Sequence, residues 1–313
     1  MNNYIKNFGS FINESYTEDG ILDLLSSGDI ANIDLGFMLI ESQFPNGNYS
    51  KKLSNKISRE YEYHCLKYGI EMNYLRSLRS LFLLYNYDIH ELPDSIGELV
   101  NLESIDISNN KLTNLPNEFG KLVSLEQLFL NNNQLTTLPD SIGNLTNLEI
   151  LRIENNQLTT LPDSIGKLVN LRELYIDNNQ LVKLPDSIGN LTNLEILRIE
   201  NNQLTTLPDS IGKLKKLTDL FAYTNKLTTL PDSIGKLKML EMIGFGNNQL
   251  TTLPDSIGNL TNLRRLWLKN NQLTTLPDSI GNLTNLRELW LKNNPIKKLP
   301  DSTSSLKKNP IKI

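Results

Sequence analysis

The sequence is poor in the residues that most often carry enzyme chemistry. Among 313 residues there is one cysteine, Cys65, and there are two histidines, His64 and His90. A single cysteine cannot form an internal disulfide. On a helix, the neighbours His64 and Cys65 would project about 100° apart, which is the wrong geometry for a nucleophile and its base. We therefore expect these two side chains to pack within a helix rather than to react.

Other chemical signatures are also missing. The sequence contains no glycine-rich phosphate loop, no cluster of residues at metal-ligand spacing and no paired carboxylates placed for acid–base work. The glycine that recurs in SIGNL has the position of a turn residue. These absences predict a protein that is not an enzyme and that holds no cofactor and no metal.

The charge and the hydropathy pattern exclude two further classes. The net charge is −4 and the isoelectric point is near 5.4, so no basic excess favours nucleic acid as a partner. No apolar run reaches 18 residues, which argues against a membrane span. The first residues, MNNYIKNFGSFINESY, lack the apolar core of a leader peptide. We therefore predict a cytoplasmic or otherwise intracellular protein.

The dominant feature is a repeat with a fixed length. From Leu92 to Lys298 the chain consists of nine consecutive copies of a 23-residue unit, and a Leu-Pro pair opens every copy without insertion. Two copies, at 138–160 and 184–206, are identical and read LPDSIGNLTNLEILRIENNQLTT. A fixed period of this kind is the signature of a solenoid, in which each unit buries its apolar face against its neighbours. Such an array offers an extended surface rather than a closed pocket.

Each copy joins two hydrophobic periods. The stretch Leu148 to Ile153 alternates as a short strand does, whereas the apolar residues from Ile142 onward are spaced in threes, as in a 3₁₀ or short α turn. Pro139 fixes the entry to that turn, and we expect Asp140 and Ser141 to cap its free N–H groups. Each coil should therefore consist of a strand, a turn, a short helical arm and a return.

One asparagine occupies the same position in all nine copies, five residues before the next Leu-Pro. A polar residue that faces the interior must satisfy its own donors and acceptor, and stacked asparagines can do so on the backbone of adjacent coils. A ligand site would not need all nine copies, so we predict a structural ladder. Its members are Asn110, Asn133, Asn156, Asn179, Asn202, Asn225, Asn248, Asn271 and Asn294.

The motif LTNLEILRIENNQLTTLPDSIGNL resembles the leucine-rich repeat family, in the 23-residue form of the Ras-group proteins and of many bacterial repeat proteins. The resemblance implies an α/β solenoid shaped as a horseshoe, with a parallel sheet on the concave face and short 3₁₀ or helical arms on the convex face. It also implies recognition of another protein, the usual function of this family. The paired-cysteine caps of extracellular members are missing. So is the catalytic cysteine domain that follows the repeats in bacterial ubiquitin ligases.

The two ends depart from the repeat. Residues 1–74 have helical spacing: Leu53, Ile57, Tyr61, Cys65 and Tyr68 fall on one face, Gly69 is a stop, and Asp29 can cap a second helix through Phe37, Met38 and Ile40. We interpret this segment as a helical N-terminal cap, and a separate functional module is the alternative. Residues 75–298 form the solenoid, with one degenerate copy before Leu92 in which Asn86 is one residue out of register.

Residues 299–313 form a C-terminal capping tail. It keeps Leu299, Pro300 and Leu306 but has Thr303 and Ser304 in place of the usual isoleucine and glycine, and it lacks a full strand. Its lysines, Lys307, Lys308 and Lys312, should discourage further stacking at this edge, as charges on terminal strands do.

The copies differ most at the strand positions that point outward. The central column, between the two core aliphatics, reads Asp106, Phe129, Arg152, Tyr175, Arg198, Phe221, Gly244, Trp267 and Trp290. The next column reads Ser108, Asn131, Glu154, Asp177, Glu200, Tyr223, Gly246, Lys269 and Lys292, acidic in the middle and basic toward the C-terminus. Aromatic residues and arginine dominate protein-binding hot spots. Aromatics also suit strands intrinsically, so duplication followed by drift is the alternative explanation.

These columns lead to the functional prediction. We expect a monomeric, non-catalytic interaction module or scaffold that binds a partner protein through Phe129, Arg152, Tyr175, Arg198, Phe221, Tyr223, Trp267, Lys269, Trp290 and Lys292. Gly244 and Gly246 should leave a dent that a partner side chain could fill. A carbohydrate- or cell-surface-binding protein is the rival, because Trp267 and Trp290 could stack on sugar rings. A catalytic or regulatory role of residues 1–74 is a third, weaker alternative.

Overall fold

A computed structural model describes residues 16–83, 88–306 and, for the backbone alone, 311–312. Asn86, the first fifteen residues, Lys307 and Lys308 therefore lie outside the described residues. Within the described residues, five α-helices come first: α1 Glu18–Ser26, α2 Ile30–Gln43, α3 Lys51–Glu60, α4 Glu62–Tyr68 and α5 Met72–Leu75.

Eleven short strands follow, β1 Ser80–Phe82, β2 Ser104–Asp106, β3 Gln127–Phe129, β4 Ile150–Arg152, β5 Glu173–Tyr175, β6 Ile196–Arg198, β7 Asp219–Phe221, β8 Met242–Gly244, β9 Arg265–Trp267, β10 Glu288–Trp290 and β11 Ile311–Lys312. The 3₁₀ helices between them span Asp94–Glu98, Asn117–Lys121, Asp140–Asn144, Asp163–Lys167, Asp186–Asn190, Asp209–Lys213, Asp232–Lys236, Asp255–Asn259, Asp278–Asn282 and Asp301–Leu306.

The strands form one parallel sheet in sequence order, from β1 to β11. Each strand pairs with the strand one copy away, so that equivalent residues face each other, for example Leu151 and Leu174. The leucines and isoleucines of all coils form one continuous buried core between the sheet and the 3₁₀ arms. The predicted solenoid, with its helical N-terminal region, is confirmed. The strands are shorter than predicted, three residues instead of the stretch Leu148 to Ile153.

The convex arms begin as predicted but are capped differently. Pro139 has an extended backbone, and the 3₁₀ helix begins directly after it, with the N–H of Ile142 donating to the Pro139 carbonyl at 3.0 Å. The expected side-chain caps from Asp140 and Ser141 are wrong, because no side chain bonds the N-terminus of this helix. The Ser141 hydroxyl is buried and makes no hydrogen bond in the described structure. The backbone bond from Ile142 to the Pro139 carbonyl instead satisfies an N–H group that a side-chain cap would otherwise bind.

Close packing between arms explains the glycine of each SIG motif. A Cβ placed on Gly189 would lie 2.4 Å from the carbonyl oxygen of Ser210 in the next coil and 2.7 Å from its Cβ. Real side chains do not approach backbone this closely, so any larger residue would push the coils apart. The repeat therefore stacks at a spacing that only glycine permits.

The asparagine ladder bonds each coil to its neighbour. The Asn202 side chain donates to the carbonyl oxygens of Ile176, one coil earlier, and Ile199, at 3.0 and 3.2 Å. Its Oδ1 accepts from the N–H of Leu181 at 2.9 Å. The same pattern recurs from Asn110 to Asn294. Because these partners are buried backbone groups, the amide satisfies donors and acceptors that the short strands leave free.

The residue before each ladder asparagine has a left-handed backbone, with φ between 51° and 61°. Asparagine tolerates this region, and eight copies have it there. In one copy the position is Thr224, with φ 54°. A β-branched residue is unfavourable in this conformation, so this coil holds local backbone strain.

Replacement of Thr224 by asparagine should stabilise the protein by about 1 kcal/mol, because asparagine relieves the strained backbone. Thr224 is exposed, and its hydroxyl accepts only a long hydrogen bond, 3.4 Å, from Asn247. The measurement is the urea denaturation midpoint. Exposed Thr229, which has no positive φ, is the matched control: if Thr229→Asn raises the midpoint as much, backbone strain is not the cause.

The N-terminal helices differ from the prediction in one respect. The Asp29 carboxylate caps α2 by accepting from the N–H groups of Ala31 and Asn32 at 2.8 and 3.1 Å, and Gly69 ends α4 with φ 66°, both as predicted. The single helix expected from Leu53 to Tyr68 is wrong, because it breaks at Tyr61, with φ −138°. The Tyr61 hydroxyl donates to the Leu25 carbonyl at 2.5 Å, a tertiary contact that helical periodicity does not reveal.

The helical region contacts the first coil directly. The Ser95 hydroxyl donates to the Leu66 carbonyl at 2.7 Å, and the Asn101 amide donates to the Arg76 carbonyl at 2.8 Å. Arg76 also pairs with Glu98 at 2.5 Å. Since α5 runs to Leu75, it crosses the predicted boundary at residue 74. The apolar core continues from the helices into the coils without a break.

Candidate functional site

The concave face consists of the outward side chains of the sheet, in three columns that run across the strands. The central column is in register throughout, so that Arg152 faces Tyr175, Tyr175 faces Arg198 and Arg198 faces Phe221. The column that begins at Ser108 lies two residues later along each strand. Alternation along a strand turns residues of both columns away from the core.

The central column forms a continuous series of stacked groups. The Arg152 guanidinium carbon lies 4.4 Å from the centre of the Tyr175 ring, and that of Arg198 lies 5.9 Å from Tyr175 and 5.5 Å from Phe221. Phe129, half-buried, lies in register beside Arg152 at the N-terminal side. A guanidinium that lies over an aromatic ring is attracted to the face of the ring, and the contact restricts the motion of both side chains.

The series continues with aromatic rings alone. Phe221, Tyr223 and Trp267 lie 6.1 to 6.2 Å apart between ring centres, with interplanar angles of 12° to 29°. Trp267 and Trp290 are closer, at 5.3 Å and 35°. We call the set from Arg152 to Trp290, including Tyr223, the stacked row. All its aromatic members are half-buried.

The predicted dent at Gly244 and Gly246 is wrong, because Tyr223 fills it. A Cβ on Gly244 would lie 2.3 Å from the Tyr223 ring, and one on Gly246 would lie 3.1 Å from it. Both glycines are buried. Tyr223 thus leaves its own column and bridges Phe221 to Trp267 across the coil that has no central side chain.

Three carboxylates flank the stacked row on one side. Glu154 and Asp177 are half-buried, and Glu200 is only 7% exposed. The Glu200 Oε1 accepts two bonds from Arg198 at 3.1 Å, whereas its Oε2 has no hydrogen-bond partner in the described structure. Burial raises the pKa of all three carboxyls above their ordinary values. Part of the negative charge on this face is therefore uncompensated.

The sequence prediction missed the first outward column, two residues before the central one. Its charged members include Glu173, Asp219, Arg265 and Glu288. Glu173 accepts from the Tyr175 hydroxyl at 2.9 Å, and Glu288 accepts from the Trp267 indole N–H at 3.1 Å. The signal was present, since alternation around Leu151 turns both Ile150 and Arg152 outward. These side chains fix the orientation of rings in the stacked row.

Charge is distributed unevenly along the concave face. Strands β4 to β7 and the residues just after them present two arginines and five carboxylates, Glu154, Glu173, Asp177, Glu200 and Asp219. Strands β9 and β10 and the residues just after them present Arg265, Lys269 and Lys292 against the single carboxylate of Glu288. The face is therefore negative in the middle and positive toward the C-terminus.

Two potentially reactive residues, His64 and Cys65, are buried in the helical region, whereas His90 is exposed between β1 and the first 3₁₀ helix. His64 is 4% exposed and stacks on Phe37 with ring centres 5.2 Å apart; burial lowers its pKa to about 4. Burial also raises the pKa of the Cys65 thiol, whose Sγ lies 3.4 Å from the Ile57 carbonyl. A neutral imidazole and a protonated thiol are packing groups here. Among residues 16–83 and 88–306, no cluster of three or more potential ligands is placed to hold a metal ion.

Within the same described ranges, no helix has both the length and the apolar character needed to cross a membrane.

Comparison with known proteins gives one family and several related structures. A family model described as "Leucine-rich repeat region" matches residues 58–160, 117–221, 152–247 and 221–308. A search of curated proteins found no match. The leucine-rich repeat ectodomain of the Arabidopsis thaliana membrane receptor kinase GASSHO1/SCHENGEN3, in complex with CASPARIAN STRIP INTEGRITY FACTOR 2, is 34% identical, with a TM-score of 0.61. The alignment covers 66% of this chain and 26% of that one.

Two other solved structures are similar. The Toll–Spatzle complex of Drosophila contains a chain that is 31% identical, with a TM-score of 0.61; the match covers 74% of this chain and 35% of that one. The plant peptide hormone receptor RGFR1, in complex with RGF2, is 29% identical with a TM-score of 0.55, covering 74% of this chain and 45% of the receptor. This chain therefore spans less than half the length of each of these three proteins.

Proposed function

The chain belongs to the leucine-rich repeat family, and we propose that it binds a partner protein along its concave face. The observation that carries this proposal is the stacked row, in which half-buried aromatic rings, half-buried Arg152 and exposed Arg198 run without interruption from β4 to β10. These are the residue types that supply most of the energy of protein interfaces. Their mutual stacking holds them in place before a partner arrives, which lowers the entropy that binding must overcome.

Duplication followed by drift explains the row less well. The copy that contains Gly244 lacks a central side chain, and the preceding copy has Tyr223 where other copies have charged or small residues. The two departures are complementary, because Tyr223 occupies the space that Gly244 leaves. Independent drift would not be expected to keep the row continuous. Matched changes in adjacent coils support a selected surface.

The related structures support the same proposal. The chains they contain are seen with CASPARIAN STRIP INTEGRITY FACTOR 2, Spatzle and RGF2. Recognition of a protein or peptide is therefore common among similar repeats. For this chain the partner and the concave binding face are our proposals.

A carbohydrate ligand is less compatible with the surroundings of Trp267. A sugar ring stacks on a free aromatic face, but Trp267 lies between Trp290 on one side and the Phe221–Tyr223 pair on the other. Its ring edge, rather than its face, is thus turned toward a ligand. We further propose that the protein is monomeric and intracellular and acts without catalysis, as an interaction module or scaffold.

Exchange of both tryptophans, Trp267→Ala/Trp290→Ala, should abolish capture of the partner from native lysate, because two central anchors are lost. Each anchor is expected to contribute about 2 kcal/mol or more. The measurement is the amount of a defined captured protein, identified by mass spectrometry with the wild-type chain as bait. The urea denaturation midpoint is measured in parallel, so that unfolding is distinguished from lost binding.

The matched controls lie on the convex arms. Lys167→Glu and Lys213→Glu alter exposed residues of the 3₁₀ helices and should leave capture unchanged. If the convex variants reduce capture while the tryptophan variant, still folded, retains it, the concave face is not the binding surface.

A further inference from the structure

We propose that the partner presents an extended segment that lies across the strands on the stacked row, with basic side chains over β5–β6 and acidic side chains over β9–β10. This inference rests on the proposed function and specifies the chemistry of the ligand. Three observations carry it: the distribution of charge, the distance between the charged regions and the orientation of the aromatic rings.

The acidic region favours a cationic side chain. Asp177 is half-buried, and beside it Glu200 has one carboxylate oxygen that no group of the described residues bonds, although the residue is more than nine-tenths buried. The nearby cations are Arg152, which stacks on Tyr175, and Arg198, which already pairs with Glu200. Two arginines cannot neutralise five carboxylates, so a lysine or arginine from a partner completes the pairing.

The basic region favours a carboxylate. Lys292 is exposed, and Lys269 is half-buried beside it in the adjacent coil. Arg265 pairs with Glu288, with Nε and Oε1 3.6 Å apart, and Glu288 also accepts from Trp267. The one carboxylate among the outward residues of β9 and β10 is therefore engaged. An acidic side chain of the partner would pair with the two lysines.

The distance between these regions sets the spacing in the partner. Adjacent strands lie about 4.8 Å apart, so Glu200 and Lys269, three coils apart, are separated by about 14 Å along the sheet. Asp177 and Lys292, five coils apart, are separated by about 24 Å. An extended chain covers these distances in about 4 to 7 residues at 3.3 Å each. A helix would need about 9 to 16 residues at 1.5 Å each.

The aromatic rings favour the extended form. Because the rings stack along the row, their edges form its outer surface, and ring edges carry the positive part of the aromatic quadrupole. Backbone carbonyl oxygens are suitable partners for such edges. An extended chain leaves its carbonyls free, whereas a helix uses them internally.

The test uses random 12-residue peptides displayed on phage, selected against the immobilised full-length chain. We expect enriched peptides to contain aromatic or aliphatic residues between a basic and an acidic residue 4 to 7 positions apart. An enriched peptide is then synthesised, and its affinity is measured by fluorescence anisotropy. Lys269→Glu/Lys292→Glu should weaken binding at least tenfold, and Asp177→Asn/Glu200→Gln should do the same at the other region.

A peptide with the exchanged charge distinguishes the loss of charge pairing from structural damage in the variant. A peptide whose acidic residue is replaced by lysine should bind the Lys269→Glu/Lys292→Glu variant at least tenfold better than the original peptide does. Lys213→Glu on the convex side is the control and should change neither affinity. The proposal is overturned if enriched peptides lack separated charges, if the spacing is 9 residues or more, or if the exchanged peptide restores nothing.

The result is independent of the lysate experiment. If the tryptophan variant loses its captured partner while charge reversal has no effect, the proposed function stands and the extended, charge-paired segment is wrong. If no peptide is enriched at all, the extended segment is likewise overturned. If convex variants alone reduce capture, the proposed function itself fails.

Discussion

Deletion of residues 1–77 should cause the repeat array to aggregate and to lose its cooperative unfolding transition. The helices cover the first coil, whose Leu81 and Leu83 are 2% and 0% exposed. Removal would expose these side chains and would leave polar groups such as the Ser95 hydroxyl and the Asn101 amide without their partners. Terminal coils of solenoids need such covering for solubility. Size-exclusion chromatography and thermal denaturation are the measurements.

A point variant tests the same interface in the full chain. Replacement of Leu75, which is fully buried in α5, by aspartate should strongly lower the denaturation midpoint, because a charge would be buried without a partner. Exposed Asn73→Asp, in the same helix, should have little effect. A truncated array that stays monomeric with an unchanged midpoint would show that the helical region is an independent module, the alternative that the sequence leaves open.

Replacement of Asn202 by alanine should destabilise the array by about 3 kcal/mol, since each buried group left unsatisfied costs about 1 to 3 kcal/mol. The variant removes the acceptor of the Leu181 N–H and the donor to the Ile176 carbonyl, both in the preceding coil. Water cannot reach these groups without opening the stack. Urea denaturation, with an unchanged slope and a lower midpoint, is the expected result.

The control substitution, at Asn201, must be compatible with the left-handed backbone of that residue. Asn201 is exposed but left-handed, with φ 51°, so alanine there would add strain of about 1 kcal/mol. Glycine accepts this conformation, and Asn201→Gly is therefore the matched change. Equal midpoints for Asn202→Ala and Asn201→Gly would contradict the structural role of the ladder.

Much of the architecture follows from the sequence because the repeat is so regular. One register of stacking places all copies of a given leucine against each other, and any other register would turn polar residues of the arms, such as Asp140, toward the core in place of the leucines. The position of the ladder asparagine, the strand alternation and the proline before each arm are local features. They determine the solenoid, the sheet and the outward columns without knowledge of distant contacts.

Other features depend on contacts between coils or between elements far apart in the chain. The break at Tyr61 accompanies its bond to Leu25, and helical periodicity contains no trace of it. The filling of the space above Gly244 by Tyr223 depends on ring packing across two coils. Sequence reasoning assigned Tyr223 to one column and Gly244 to another, so it predicted a dent.

The sequence by itself thus determined the solenoid, its period and the residue types on its concave face, because these depend on patterns within one coil. Only the tertiary structure decided how the side chains of that face combine. The arginines and aromatic rings could have pointed separately into solvent, but stacking makes one continuous row of them. The physical reason is that the register of the strands fixes where each Cβ lies. The ring positions, in contrast, depend on packing against neighbours one or two coils away.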